Sequence, residues 1–246
     1  VTWSSDVSCV VRRYSSAAPA AARQGGLRSR PKARRLATWA VQHLQVEAVT
    51  VPVAHTLAGQ QALQTLKEAW PSLPEERREQ IVGRLAEIAE ADFEADFAEV
   101  FKLCLADPSP RVRTAAVAGL WEVEDAVLVR PMVRMLRQDP SLTVREAVAS
   151  GLSRFALMAE LKRLPTRLSE LVWEALWEAA HDLEEDLSVR RRSIEALAYF
   201  DRPEVTALIR EAYADDEPKM RVSAVFAMGR SSDQEWSEVV LAELET

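Results

Sequence analysis

From Gly59 onward apolar residues recur at helical spacing, i, i+3, i+4 and i+7, and proline or aspartate punctuates them. Residues 60–70 predict a helix that Pro71 stops. Ser72-Leu73-Pro74-Glu75 is a start signal, with a Ser to cap, an early Pro, and a Glu three residues after the Ser. The helix predicted after it carries Ile81, Leu85 and Ile88 on one face, and Phe93, Phe97, Val100 and Leu103 mark the next. No strand-type alternation is present in this segment, and no apolar run approaches the length that spans a bilayer.

One pattern then repeats. An acidic residue stands six positions before an arginine, with an apolar residue just ahead of the arginine: Asp107 with Val112-Arg113, Asp139 with Val144-Arg145, Glu184 with Val189-Arg190, Asp215 with Met220-Arg221. Three positions past the arginine stand Ala116, Val148, Ser193 and Ala224. Four past it stand Val117, Ala149, Ile194 and Val225, and seven past it Leu120, Leu152, Leu197 and Met228. These offsets make one helical stripe. Offset +6 is small in every copy (Gly119, Gly151, Ala196, Ala227), which would let a neighbouring helix approach closely. The arginines are 32, 45 and 31 residues apart, so a unit holds two helices and two turns. The long interval places about 14 extra residues around 155–168, before or near Pro165. Second helices are expected near 126–137, 167–180, 204–214 and 235–245.

The segment 107–120, Asp-Pro-Ser-Pro-Arg-Val-Arg-Thr-Ala-Ala-Val-Ala-Gly-Leu, resembles the HEAT repeat, in particular the short subtype named after phycobilisome lyases. Residues 139–152 and 215–228 look similar. Residues 184–197 depart from the pattern, with Glu for Asp and Arg192 where Ala is expected. The resemblance implies an all-α, HEAT/armadillo-like α-α superhelix of about five helix pairs over 58–246. Diverged helices would fill 58–105, and repeats would start near 107, 139, 184 and 215. In such families the Asp and Arg form inter-repeat ladders. The ladder expected here comprises Asp107, Arg113, Asp139, Arg145, Glu184, Arg190, Asp215 and Arg221, a structural set rather than an anion site.

Charge separates the head from this body. Residues 1–46 hold eight basic groups and one acid, a net +7, so the other 200 residues carry 23 basic and 37 acidic groups, a net −14. An acidic body repels phosphates and argues against nucleic acid as its partner. The head, residues 1–57, is Ser-, Ala- and Arg-rich and lacks a sustained period, apart from a short helix expected near 36–48. Its composition is that of a disordered basic tail, a targeting peptide, or sequence upstream of the true start, and these readings stay open.

Candidate chemistry is sparse. Cys9 and Cys104 form no metal spacing, and Cys104 reads as a core thiol, which suits a reducing, cytoplasmic setting. His181-Asp182 is half of a metal pair without a second His in the body, and no nucleophile-elbow, phosphate-loop or dinucleotide fingerprint is present. Neither cofactor, metal nor catalytic residue is therefore expected. Trp173 and Trp177, at i and i+4, read as a packing stripe. The residues expected to meet a partner are Trp121, Glu122, Arg154, Tyr199, Phe226 and Arg230, at offsets +5, +8 or +9, since aromatics and arginine anchor interfaces. The expected function is an interaction module binding a protein or peptide on its concave face. The alternatives are a chromophore-handling lyase or isomerase, as in the subtype's namesakes, and nucleic-acid binding through the basic head.

Overall fold

A computed structural model of the chain describes residues 57–91, 95–231 and 233–244. The head up to residue 56, with the helix expected over 36–48, and Phe93 lie outside these residues. Eleven α-helices follow one another among them, and no strand occurs. They are α1 (Leu57–Ala69), α2 (Glu75–Ala91), α3 (Ala98–Cys104), α4 (Pro110–Gly119), α5 (Val129–Gln138), α6 (Leu142–Glu160), α7 (Thr166–His181), α8 (Leu187–Leu197), α9 (Pro203–Tyr213), α10 (Pro218–Ser231) and α11 (Ser237–Leu244). None is long and apolar enough to cross a membrane.

The even-numbered helices pack in series, α2 on α4, α4 on α6, α6 on α8, α8 on α10, and form one layer. Odd-numbered helices form the other, with α1 against α3 and α5 against α7, and each packs on the even helix that follows it from α3–α4 onward. This is an α-solenoid of five helix pairs closed by α11. The motif explains the stacking. Its stripe is buried in every copy except at Val225, which is half-buried, and Val112, Val144, Val189 and Met220 ahead of each arginine are buried too. Each fully buried Leu, Val or Phe contributes about 1.5–3 kcal/mol by leaving water. Ser193 enters this stripe at little cost because its hydroxyl donates to the Val189 carbonyl at 2.9 Å.

The small residues at offset +6 do admit a neighbour. A methyl group on Gly119 would stand 2.4 Å from the Phe101 ring of α3, and one on Gly151 would stand 2.7 Å from the Met132 methyl of α5. The long interval is shared between α6, which continues past Gly151 to Glu160, and the long α7. No breaker stands in 152–160, so the helix runs on. It ends in a Schellman turn, with Lys162 at φ 58°, Lys162 N donating to Ala159 O at 3.0 Å and Arg163 N to Met158 O at 2.8 Å. Ser72 does not cap α2. It belongs to the 3-10 turn Trp70–Ser72, and its hydroxyl donates to the Ala69 carbonyl at 2.6 Å.

The acid–arginine ladder is built across repeats. Arg113 grips Asp139 through two 2.7 Å bonds, and Arg145 grips Glu185 through two at 2.8 Å. Both also donate backward to the carbonyl of their own repeat's Asp, Asp107 and Asp139 respectively, at 2.8 Å. The carboxylate facing Arg145 is thus Glu185, not Glu184, which is exposed. Where Asp107 and Asp139 both grip an arginine and order the turn ahead of the helix, this repeat divides the two tasks: Glu185 grips, and Asp186 accepts the Ser188 N–H at 2.8 Å. Arg190 and Asp215 form no pair. Arg190 turns to the Ala180 carbonyl at 3.5 Å, and Arg221 donates to the Asp215 and Asp216 carbonyls.

The ladder also extends one rung earlier than the motif suggests. Arg78 of α2 donates to Asp107 at 2.9 Å, while Ile81, Val82 and Leu85 occupy offsets +3, +4 and +7 and are buried. Three departures hide this fifth copy in the sequence: Ser72 stands where the acid belongs, Arg77 where the apolar residue belongs, and Arg84 at offset +6 where the other copies have a small residue. Asp107 is the ladder's deepest point. Its side chain is 0% exposed and accepts from Arg78, from the Trp70 indole at 2.6 Å and from Ser109 N at 2.9 Å. Nearby Cys104 is a buried free thiol whose pKa desolvation pushes up to about 12, so it is an inert core residue.

Candidate functional site

The even-numbered layer carries a groove of about 360 Å³ that crosses α4, α6, α8 and α10. Seven of its ten lining residues stand at offsets +1, +2 and +5, positions where the repeats disagree, and Thr143, Ser153 and Arg230, at −2, +8 and +9, complete it. At +1 stand Thr114, Glu146, Arg191 and Val222. Offset +2 has Ala115, Ala147, Arg192 and Ser223, and offset +5 has Ala118, Ser150, Glu195 and Phe226. The stripe offsets hold the solenoid together and are alike; these offsets face outward or toward the neighbouring even helix and are free to differ.

A polar network occupies the groove where α6, α8 and α10 meet. Arg192 donates to both oxygens of Glu195, at 3.0 and 3.2 Å, and to Glu146 at 3.4 Å. The Ser223 hydroxyl donates to Glu195 at 2.7 Å and accepts from Arg191 Nε at 2.9 Å. Burial works against the charge on Arg192, but Glu195 and Glu146 outweigh it and hold its pKa above the ordinary guanidinium value. For Arg191 burial wins, and its pKa falls below that value. Beside the network, Arg230 lies over the Phe226 ring at 4.4 Å and the Tyr199 ring at 4.8 Å, and donates to the Glu195 carbonyl at 2.9 Å.

Of the partner-contact residues expected from the sequence, Phe226 and Arg230 line the groove and Tyr199 packs on Arg230. Arg154 turns inward. It donates to the Leu120 carbonyl at the end of the preceding even helix and sits 4.7 Å over Phe155, the counterpart of what Arg230 does two interfaces further on. Trp121 and Glu122 are exposed in the turn after α4 and are not part of the groove. Thr114, Thr143, Glu146, Arg192 and Glu195 line it as well, and offsets +5 to +9 alone do not reach most of them. The signal for them was present: Arg192 is the residue that breaks the repeat.

On the other layer, Trp173 and Trp177 stack at 5.1 Å, with Arg202 capping Trp173 at 4.0 Å and His181 on Trp177 at 4.1 Å. Each indole face in this column is taken, and His181 Nδ1 donates to the Trp177 carbonyl at 2.9 Å. It is a packing feature of the enlarged repeat.

A two-layer stack of helix pairs, stitched by a ladder and grooved on one side, defines an α-solenoid repeat protein. Residues 97–174 match the family model of HEAT repeats, and this segment, α3 to α7, belongs to that family. The match is to HEAT repeats as a class and does not single out the phycobilisome-lyase subtype. No curated protein matches the sequence.

Proposed function

We propose that the chain is a scaffold that binds a protein or peptide segment along the groove of the even-numbered layer. The observation that carries this reading is the contrast between offsets: the buried positions repeat, whereas those lining the groove differ from helix to helix. Four helices thus present a non-repeating row of Thr, Glu, Ser, Arg and Phe side chains. Such a row can read a sequence of side chains, as extended repeat surfaces do. HEAT repeats generally mediate protein interaction. The network also suits a fixed surface better than proton transfer, because the buried carboxylate there, Glu195, is already held by Ser223 and Arg192.

Affinity capture with the full chain tests this. A Tyr199→Ala/Phe226→Ala variant should lose its partners by tenfold or more, while Glu174→Lys on the other layer keeps them. Both variants are first shown to melt cooperatively. If the groove variant recovers the same partners as the wild type, the reading fails.

A further inference from the structure

Three arginines stand in a row at the start of α8, and each meets a different fate. Arg190 turns to the α7 carbonyl of Ala180. Arg192 is held by two carboxylates. Arg191, between them, is half-buried at the α8–α10 seam, and among the described residues it makes no ion pair. Its hydrogen bond is one from Nε to the Ser223 hydroxyl, while Glu195, Glu146 and Glu217 act on it only from a distance. Taking a guanidinium partly out of water without a contacting anion is unfavourable. A chain with 38 carboxylates has ample means to pair it, as it pairs Arg78, Arg113 and Arg145.

The geometry leaves the fork of Arg191 open. With Nε on Ser223, both terminal nitrogens remain to donate, side by side, to a planar or tetrahedral oxyanion. Arg192 has one terminal nitrogen, Nη2, beyond those bound to Glu146 and Glu195. Around the network stand three arginines (191, 192, 230) and three glutamates (146, 195, 217), a local balance of charge in a body that is otherwise acidic.

We propose that Arg191, oriented by the Ser223 hydroxyl and assisted by Nη2 of Arg192, is an anion-binding site at the edge of the groove, on the α8–α10 seam, that takes a carboxylate or phosphate group carried by the segment bound there. This deepens the scaffold reading and rests on it for the source of the anion; the site itself can be tested without a partner.

The probe is inorganic phosphate, with acetate as a second arm, each compared with chloride at matched ionic strength in thermal melts of the full chain. Phosphate stabilises most proteins slightly by exclusion from the surface, so the readout is the difference between wild type and Arg191→Gln. Wild type should gain about 2–4 °C more than Arg191→Gln near saturating phosphate. In chloride, Arg191→Gln should melt at or above the wild-type temperature, since it removes an uncompensated charge. Arg191→Lys should keep part of the gain, and serves if the Gln variant does not fold. A gain with phosphate alone points to a phosphorylated residue as the natural ligand; a gain with acetate as well points to an acidic side chain. Equal gains in wild type and Arg191→Gln with both anions overturn the proposal while leaving the scaffold reading standing. Capture retained by the groove variant above, with the anion effect intact, overturns the scaffold reading while leaving the anion site standing.

Discussion

Asp107 concentrates at one carboxylate what the other rungs spread over several groups. With its side chain fully enclosed and three different donors on it, removing it strands a guanidinium that retains only the Leu73 carbonyl. Asp107→Ala should therefore cost about 3–5 kcal/mol in urea unfolding. Arg145→Ala strands Glu185, which keeps some contact with water, and should cost about 1–3 kcal/mol. Equal losses, or a smaller one at Asp107, would count against burial as what sets the rank. The residue scale is also where sequence and structure part most. The ladder's chemistry was readable from spacing, but the choice of Glu185 over Glu184 was not. That choice depends on a turn in which Asp182 accepts the Glu184 N–H and moves the next carboxylate into reach. The groove was half-legible: Phe226 and Arg230, singled out from the sequence, do line it, whereas Glu146 and Glu195 look like solvated helix charges until the even helices are placed side by side.

At the scale of the helix, two glycines at the same offset face different neighbours. Gly119→Ala drives a methyl into the fully buried ring of Phe101, which has nowhere to go, and should destabilise by about 1–3 kcal/mol. Gly151→Ala meets the flexible end of Met132, and the higher helix propensity of Ala, about 1 kcal/mol, offsets the crowding. Melting temperatures of the two variants check this; a larger loss at Gly151 would contradict it. Asp186 gives the helix-scale pH dependence. Its pKa is lowered, first by the Ser188 hydroxyl and then by the Ser188 N–H, relative to an unfolded value of about 3.9. A depressed carboxylate stabilises the fold above the unfolded pKa, and that contribution is lost as pH falls through the lower, folded value. Asp186→Asn keeps an acceptor for the N–H but cannot titrate, so its stability should fall less between pH 5 and pH 3 than that of the wild type. Parallel acid limbs would rule this out. The helices themselves were legible because the stripe at −1, +3, +4 and +7 is what buries them. The fifth copy in α2 was not, since Ser72 and Arg77 replace the two residues that announce the motif while the buried residues behind them stay in register.

Among the described residues the ladder has three rungs, Arg78–Asp107, Arg113–Asp139 and Arg145–Glu185, and no further one toward α10. Between α8 and α10 the coupling consists of a serine hydroxyl and a carbonyl instead of a bidentate ion pair. In a solenoid, stability is close to a sum over neighbouring interfaces, so a weaker interface is felt locally. Mild denaturant should release the amide hydrogens of α9, α10 and α11 at lower free energy than those of α2, α4 and α6, as read by native-state hydrogen exchange. Uniform protection along the chain would refute that gradient. The gradient makes the rod directional, like a zipper sewn shut at one end. Denaturation then peels it from α11 toward α2, a single midpoint merges two events, and the last part to come undone is the end held by Asp107.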